Sequence, residues 1–388
     1  MTSPILPVYK RAKLAFSHGQ GAYLYTTDGD KYLDFASGIA VNALGHSHPV
    51  LIQALTEQAS KLWHVSNLYE IPEMNKFATL LTECCFADSV FFTNSGTEAV
   101  ECAIKMTRKY FDVIGEGNRF KVITFSGAYH GRTLAALSAS DRPQCQVGFH
   151  PLVEGFYSVE FGNIAAVEAA ICKDTAAILI EPIQGEGGVK IAPSEFMQAL
   201  RKLADNYGLL LIVDEVQCGV GRSGKFSAYE YSNITPDIML IAKGIANGFP
   251  LGACLTTKKI ANAMTEGSHG STFGGNPLAM AVGFACVNII RQASLLTSIS
   301  SLGDELKTRL EVLMSKFPHV IEDVRGRGFM LGIKTKLPCK EVIEKLRQFR
   351  LLTAPAGNNV IKIYPPFIVN QSHLDEALQI MEQCFASL

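Results

Sequence analysis

The sequence predicts an α/β fold, with a large, mainly parallel-sheet α/β/α domain and a smaller α+β domain. Three observations predict it. Short apolar runs alternate with amphipathic stretches through the middle of the 388 residues. Several of those runs are apolar throughout, as strands covered on both faces of a parallel sheet must be. From about residue 286 the pattern changes to one long helical stretch followed by short strands.

Taken in order, "QGAYLYTTDGDKYLDFASG" reads as a hairpin around Asp28-Gly29, a dipeptide suited to tight turns. It is assigned to an N-terminal segment, 1–45, that packs on the smaller domain. The large domain, 46–285, has its first strand in "SVFFTNSG" (89–96), followed by "TEAVECAIKMTRKYF", whose apolar residues recur at three- and four-residue spacing. Strands follow at "FKVITFSG" (120–127), "AAILIEP" (176–182), "LLLIVDEV" (209–216) and "IMLIA" (238–242). Between them "PSEFMQALRKLADNYG" reads as a helix capped by Ser194 and stopped by Gly208. The small domain, 286–388, comprises the helical "SLGDELKTRLEVLMSKF", the strands of "RGRGFMLGIK" and "NVIKIYPPFIV", and a closing helix.

Net charge is −1, and no block of five basic residues occurs, which argues against nucleic acid as a partner. No leader-like segment opens the sequence, and no apolar run approaches the roughly 20 residues that span a bilayer. Ten cysteines are scattered without a CxxC pair, a usage that fits free thiols in a reducing compartment rather than a zinc site. The expectation is a soluble cytoplasmic protein with no metal. "GHSHP" (His46, His48) has metal-like spacing, but no third ligand stands out and the segment reads as a turn before a helix. Trp63 and the aromatics around Tyr69 are expected to pack rather than to line a site entrance.

Three motifs carry chemistry, and a fourth only resembles one that does. In "PDIMLIAKGIANGFPLG", Lys243 ends an apolar strand, where an ammonium is costly unless it is paired or neutralised. "LLLIVDEVQ" puts Asp214 at a strand's C-terminal end, where it needs a cationic partner, either a core side chain or a heterocyclic N–H⁺. "NSGTEA" (94–99) joins a strand to an amphipathic helix, so the backbone N–H groups of Gly96 and Thr97 form a phosphate cradle or simply a capped helix start. "GVGRSG" (219–224) fits the dinucleotide fingerprint, but no helical pattern follows it, so it reads as a surface turn. A lysine, an acid about thirty residues before it and a phosphate cradle are together the three contacts that pyridoxal 5′-phosphate needs.

At this point the sequence resembles the class III (ω-amino) aminotransferases of PLP fold type I. The segments that carry the resemblance are "NSGTEA", "AYHGRT", "EPIQGEGG", "DEVQCGVGRSG", "AKGIANGFPLGA" and "HGSTFGGNP", in that order along nearly the whole chain. Within the family the match is closest to the acetylornithine-type enzymes of arginine biosynthesis. The resemblance implies that Lys243 is the Schiff-base lysine and that Asp214 pairs with the pyridine nitrogen. It implies that Glu215, Val216 and Gln217 flank the cofactor, Gln217 near its 3′-oxygen. Tyr129 falls where an aromatic ring stacks on the cofactor. Gly96 and Thr97 match the phosphate cradle, and Thr272 matches a residue that reaches the phosphate of a neighbouring subunit, which implies a homodimer.

For substrates, Arg132 matches the arginine that forks onto the α-carboxylate. Ser271 matches a substrate-contacting position. Glu186 matches a glutamate that pairs with a C-terminal arginine, but this chain has Lys362 there, a point charge without a fork. Gly38 falls near the place where ornithine aminotransferases carry a tyrosine, which leaves room for an acyl group. The implied reaction moves the terminal amine of N-acetylornithine to 2-oxoglutarate and yields glutamate. Succinyl-diaminopimelate, ornithine and 4-aminobutyrate are the rival donors. An aminomutase, a non-catalytic cofactor-binding module and an NAD-dependent oxidoreductase are more remote.

Overall fold

A computed structural model describes residues 4–388. Strands β1 (Phe16–Gln20), β2 (Tyr23–Thr26) and β3 (Lys31–Asp34) form an antiparallel meander, with Gly29 at φ 89° in the expected hairpin turn. A left-handed turn comes next: Ser37, Gly38, Ile39 and Ala40 have φ of 46°, 61°, 65° and 64°. Three side-chain-bearing residues in that region are strained, and such strain concentrates at functional sites.

The central sheet is then laid down as β4 (Ser89–Thr93), β5 (Lys121–Phe125), β6 (Phe156–Val159) and β7 (Thr175–Ile180). After a small hairpin of β8 (Ile183–Gln184) and β9 (Lys190–Ile191), it is completed by β10 (Leu210–Asp214), β11 (Ile238–Ile241) and β12 (Gly252–Thr256). Its order is β4-β12-β11-β10-β7-β5-β6, and β12 alone runs antiparallel to its neighbours. The unbroken apolar runs follow from burial on both faces. In β10, Leu211 and Val213 join one core while Leu210 and Ile212 join another, and Met239 and Ile241 are divided from Ile238 and Leu240 in the same way. The helix Gly96–Val113 packs on the second face through Val100, Met106 and Phe111.

Helices Pro277–Ile290 and Ala293–Lys316 lead to β13 (Ile321–Arg327), β14 (Met330–Thr335), β15 (Leu351–Leu352), β16 (Ala354–Ala356) and β17 (Val360–Ile363), and Gln371–Ala386 closes the chain. β13, β14, β17 and β16 make an antiparallel sheet, whereas β15 pairs parallel with β3, Leu351 opposite Leu33. Among the described residues, no single helix is long and apolar enough to cross a membrane.

Several expectations need correction. Ser194 does not cap its helix: it is the first helical residue, and its Oγ donates to the Tyr231 carbonyl at 3.4 Å. Gly208 does end that helix, at φ 61°. "GVGRSG" is not a surface turn, because Arg222 is fully buried, donates Nη1 to the carbonyls of Phe329 and Pro365, and lies over the Phe367 ring at 4.4 Å. Trp63 and Tyr69 do not pack within the chain; each is 66% exposed. Strands β6 and β12 escape a reading by apolar runs because β6 is an edge strand with exposed central residues, and β12 opens directly from the glycine- and proline-rich turn.

The helix Ala293–Lys316 approaches the buried turn through Gly303. A Cβ on Gly303 would lie 2.5 Å from the Gly328 carbonyl oxygen, and Gly328 is itself wedged against the Ser223 backbone. Gly303→Ala gains about 1 kcal/mol of helix propensity, but overpacking rigid backbone costs roughly 1–3 kcal/mol. The expected result is a lower unfolding midpoint in a denaturant titration, and a raised midpoint would contradict this packing.

Candidate active site

The C-terminal ends of β4, β5, β7, β10 and β11 meet at one rim of the sheet, where ligands of open α/β folds bind. Each end delivers a side chain or a helix start to a cavity of about 340 Å³: Gly96 and Thr97 after β4, Tyr129 and His130 after β5, Glu181 after β7, Asp214 on β10, and Lys243 after β11. Arg132, Val216 and Gln217 also line it. A second recess of about 530 Å³ shares Tyr129, Arg132 and Lys243 and adds Gly38, Ile39, Arg142 and Glu186.

Lys243 has φ 48°, a left-handed conformation for a side-chain-bearing residue. Such strain costs roughly 1–3 kcal/mol and turns the side chain out of line with its strand. Its amine makes no hydrogen bond or ion pair among the described residues. Burial, followed by the charge of Lys362, pushes its pKa down to about 8, although Glu186, Asp214 and Glu181 act the other way. Some of its surface stays open to the cavity, so the amine is desolvated but reachable.

Asp214 is almost fully buried and held from two sides: Oδ2 meets His130 Nδ1 at 2.7 Å, and Oδ1 accepts from the Val216 N–H at 3.0 Å. A carboxylate only accepts, so Nδ1 carries the hydrogen. Burial alone would push the imidazole down, but the hydrogen bond and charge of Asp214 outweigh it and raise its pKa. Beside this pair, Glu181 accepts from the Tyr129 N–H at 3.1 Å, and burial pushes its carboxyl up to about 8. Neither His130 nor Glu181 stands out in the sequence. His130 lies within "AYHGRT", and the partner that Asp214 requires at a strand end is the signal that points to it.

At the other end Ser95 caps the helix Gly96–Val113, its side chain accepting from the Glu98 N–H at 3.3 Å. The N–H groups of Gly96 and Thr97 are left without a protein acceptor among the described residues. The cradle is shaped by absent side chains: a Cβ on Gly131 would lie 2.1 Å from Thr97 Oγ1, and one on Gly96 would lie 2.7 Å from Val216 Cγ1. Around the second recess, Glu186 forms an ion pair with the fully buried Lys362 and also receives the Gln217 Nε2 at 3.4 Å. Gln217 Oε1 in turn accepts from the Tyr364 hydroxyl at 3.0 Å.

Some anticipated residues stand elsewhere. The Glu215 carboxylate turns away from the cavity and takes the N–H groups of Ala228 and Tyr229 at 3.0 and 2.7 Å, which pins the turn Ala228–Ser232. Ser271 lies beyond the lining, bonded to the Gly274 N–H and Asn94, and Thr272 is exposed. His46 Nε2 meets Asp34 at 2.8 Å.

Pyridoxal 5′-phosphate fits this donor set. It presents an aldehyde, a basic ring nitrogen and a phosphate, and the site offers a lone amine, a fixed carboxylate and unpaired N–H groups in a glycine-shaped cradle. The titration of Lys243 gives a direct check. Competitive acetylation of the cofactor-free chain, followed by mass spectrometry, should place its reactivity midpoint near pH 8, because an amine reacts only when deprotonated. A midpoint shared with the exposed lysines would refute the desolvated setting.

Comparison with known proteins agrees with this geometry. The model of the family "Aminotransferase class-III" matches residues 7–385. The acetylornithine aminotransferase of Mesorhizobium japonicum is 54% identical over 376 residues, 97% of this chain and 94% of the relative. A crystal structure of N-acetylornithine aminotransferase from Stenotrophomonas maltophilia superposes with a TM-score of 0.86 at 33% identity, covering 98% of this chain and 97% of the other. A structure of Toxoplasma gondii ornithine aminotransferase, described as having partial occupancy of PLP at its active site, gives a TM-score of 0.94 at 30% identity over 98% and 92%. The chain belongs to the class III aminotransferases, the pyridoxal phosphate-dependent family that its cavity suits.

Proposed function

We propose that the chain transfers the terminal amine of N2-acetyl-L-ornithine to 2-oxoglutarate, giving N-acetyl-L-glutamate 5-semialdehyde and L-glutamate in cytoplasmic arginine biosynthesis. The observation that carries this reading is the unpaired Lys243 amine, which shares one cavity with Asp214 and Arg132. The names of the relatives, at 54% identity for the one from Mesorhizobium japonicum, support the donor.

Bound pyridoxal phosphate supplies an electron sink for the charge left when a proton leaves the amine-bearing carbon. Gly96 and Thr97 would hold its phosphate, Tyr129 its ring face, and Gln217 the region of its 3′-oxygen. Asp214, fixed by His130, would keep a proton on its ring nitrogen. Lys243, neutral above about pH 8, is the base that takes the proton from the substrate's terminal carbon and later returns it. Arg132, at the exposed mouth of the cavity, presents a fork for the α-carboxylate. Gly38 lines the second recess at φ 61°, so no side chain fills the space an N-acyl group would take.

Homodimerisation belongs to the same reading. Leu68, Trp63, Tyr69 and Phe273 are exposed, and Asn67 Nδ2 joins their two segments by donating to the carbonyls of Ser271 and Gly274 at 3.1 and 3.0 Å. An exposed apolar patch of this kind marks an interaction surface. It would carry Thr272, and Ser271 beside it, toward a second copy's site.

Lys243→Ala should lower turnover at least roughly a hundredfold and abolish the visible absorbance of the loaded enzyme. The melting point of the cofactor-free variant should hold or rise, because a desolvated amine without a partner is removed. A variant with full turnover would refute the role of Lys243. For the donor, kcat/KM with 2-oxoglutarate should be far higher for N-acetylornithine than for ornithine, succinyl-diaminopimelate or 4-aminobutyrate, and parity with ornithine would overturn the acyl-group argument.

A further inference from the structure

The second recess holds more positive charge than the amine donor can use. Arg132 and Arg142 line it beside Lys243, Lys362 stands behind, and Glu186 is its only carboxylate among the described residues. Glu186 is already taken by Lys362, whose ammonium is fully buried. Arg142 therefore has no acid of its own among the described residues. One of its nitrogens, Nη1, donates to the Glu186 carbonyl oxygen at 2.7 Å, while the buried Nε has no partner among the described residues. A buried guanidinium nitrogen left without an acceptor is unfavourable, and a carboxylate held by the rest of the guanidinium would offset that cost.

Resting on the proposed reaction, we infer that Arg142 is a specificity-determining residue for the dicarboxylate partner: its guanidinium takes the carboxylate next to the reacting carbon of 2-oxoglutarate or glutamate, in concert with Lys362. The geometry requires such a group. With Arg132 holding the carboxylate remote from the reacting carbon, a dicarboxylate puts its second carboxylate one bond from the carbon that faces Lys243. Lys362 is the cation whose charge weighs most on Lys243, but as an ammonium it presents no planar fork and is engaged by Glu186. Arg142 sits over the backbone of that same glutamate and offers the planar donor set that Lys362 lacks. The reacting carbon of N-acetylornithine carries no carboxylate, so Arg142 bears on one half of the reaction only.

The test uses the loaded enzyme and two variants. Arg142→Gln keeps a hydrogen-bond donor for the Glu186 carbonyl but removes the charge, and Arg142→Lys keeps the charge without the fork. Glutarate, a dicarboxylate that cannot react, is titrated calorimetrically, and each half-reaction is followed by absorbance with N-acetylornithine or glutamate. Arg142→Gln should weaken glutarate and glutamate roughly ten- to a hundredfold, as loss of a charge-assisted contact does. The half-reaction with N-acetylornithine should fall much less, and Arg142→Lys should lie between wild type and Arg142→Gln. Unchanged glutarate binding in Arg142→Gln, equal loss in both half-reactions, or failure of the wild type to bind glutarate would each overturn the inference. A wild type that binds glutarate through Arg142 but does not accept N-acetylornithine would sink the proposed donor and leave the inference standing.

Discussion

An amine that must give up its proton readily beside the carboxyl groups of Asp214, Glu181 and Glu186 is the constraint from which the site follows. Desolvation alone favours the neutral form of both kinds of group. Here the carboxylates are sorted by their partners. Asp214 keeps His130 and a backbone N–H, Glu186 keeps Lys362, and Glu181, lacking a cation of its own, is pushed toward protonation. Lys243 is left with no partner among the described residues. The neighbouring Lys362 adds to the effect, because a second cation close by disfavours charge on the first.

Sheet topology makes that sorting possible. Parallel strands bring their C-terminal ends to one rim, so residues separated by more than a hundred positions in sequence converge without any long loop. Both faces of β10 and β11 are buried, which fixes their register and with it the positions of Asp214 and Lys243. A loop-borne lysine would have water and rotamer freedom to escape its setting, whereas one at the end of a doubly buried strand does not.

How much of this could be read in advance depended on whether a residue's role was local. The strands β4, β5, β7, β10 and β11 showed themselves as apolar runs, and Lys243 and Asp214 as polar residues where such runs end. Glycines with a steric reason, such as Gly96, were visible as part of a strand-to-helix junction. The function of Glu215 was not legible: the resemblance set it beside the cofactor with Val216 and Gln217, but it follows the end of β10 and spends its carboxylate on the N–H groups that open the turn Ala228–Ser232. Arg222 was hidden for the opposite reason. A glycine-rich segment with a charge reads as surface, and only tertiary packing shows that backbone carbonyls receive its guanidinium. The exposure of Trp63 and Tyr69 points the same way, since an aromatic residue in a sequence does not say whether its own chain or a second copy covers it.

Three buried cations show what the fold does with the same physical problem. Lys362 is neutralised by an ion pair with Glu186. Arg222 has no acid and instead donates to two carbonyls above the Phe367 ring, and burial still pulls it down to about 9. A delocalised guanidinium tolerates that solution because it is weakly hydrated, whereas an ammonium would lose far more. Lys243 receives neither remedy, so its proton is held loosely, with a pKa pushed down to about 8, and the free amine left when it departs is the one form of lysine able to attack a carbonyl or accept a proton. Supplying Lys243 with an acid of its own would stabilise the ammonium and remove the nucleophile. The absence of a partner is thus not an imperfection of packing but the feature that makes the chemistry available, and the surrounding pairs exist to keep every other charge from filling the gap.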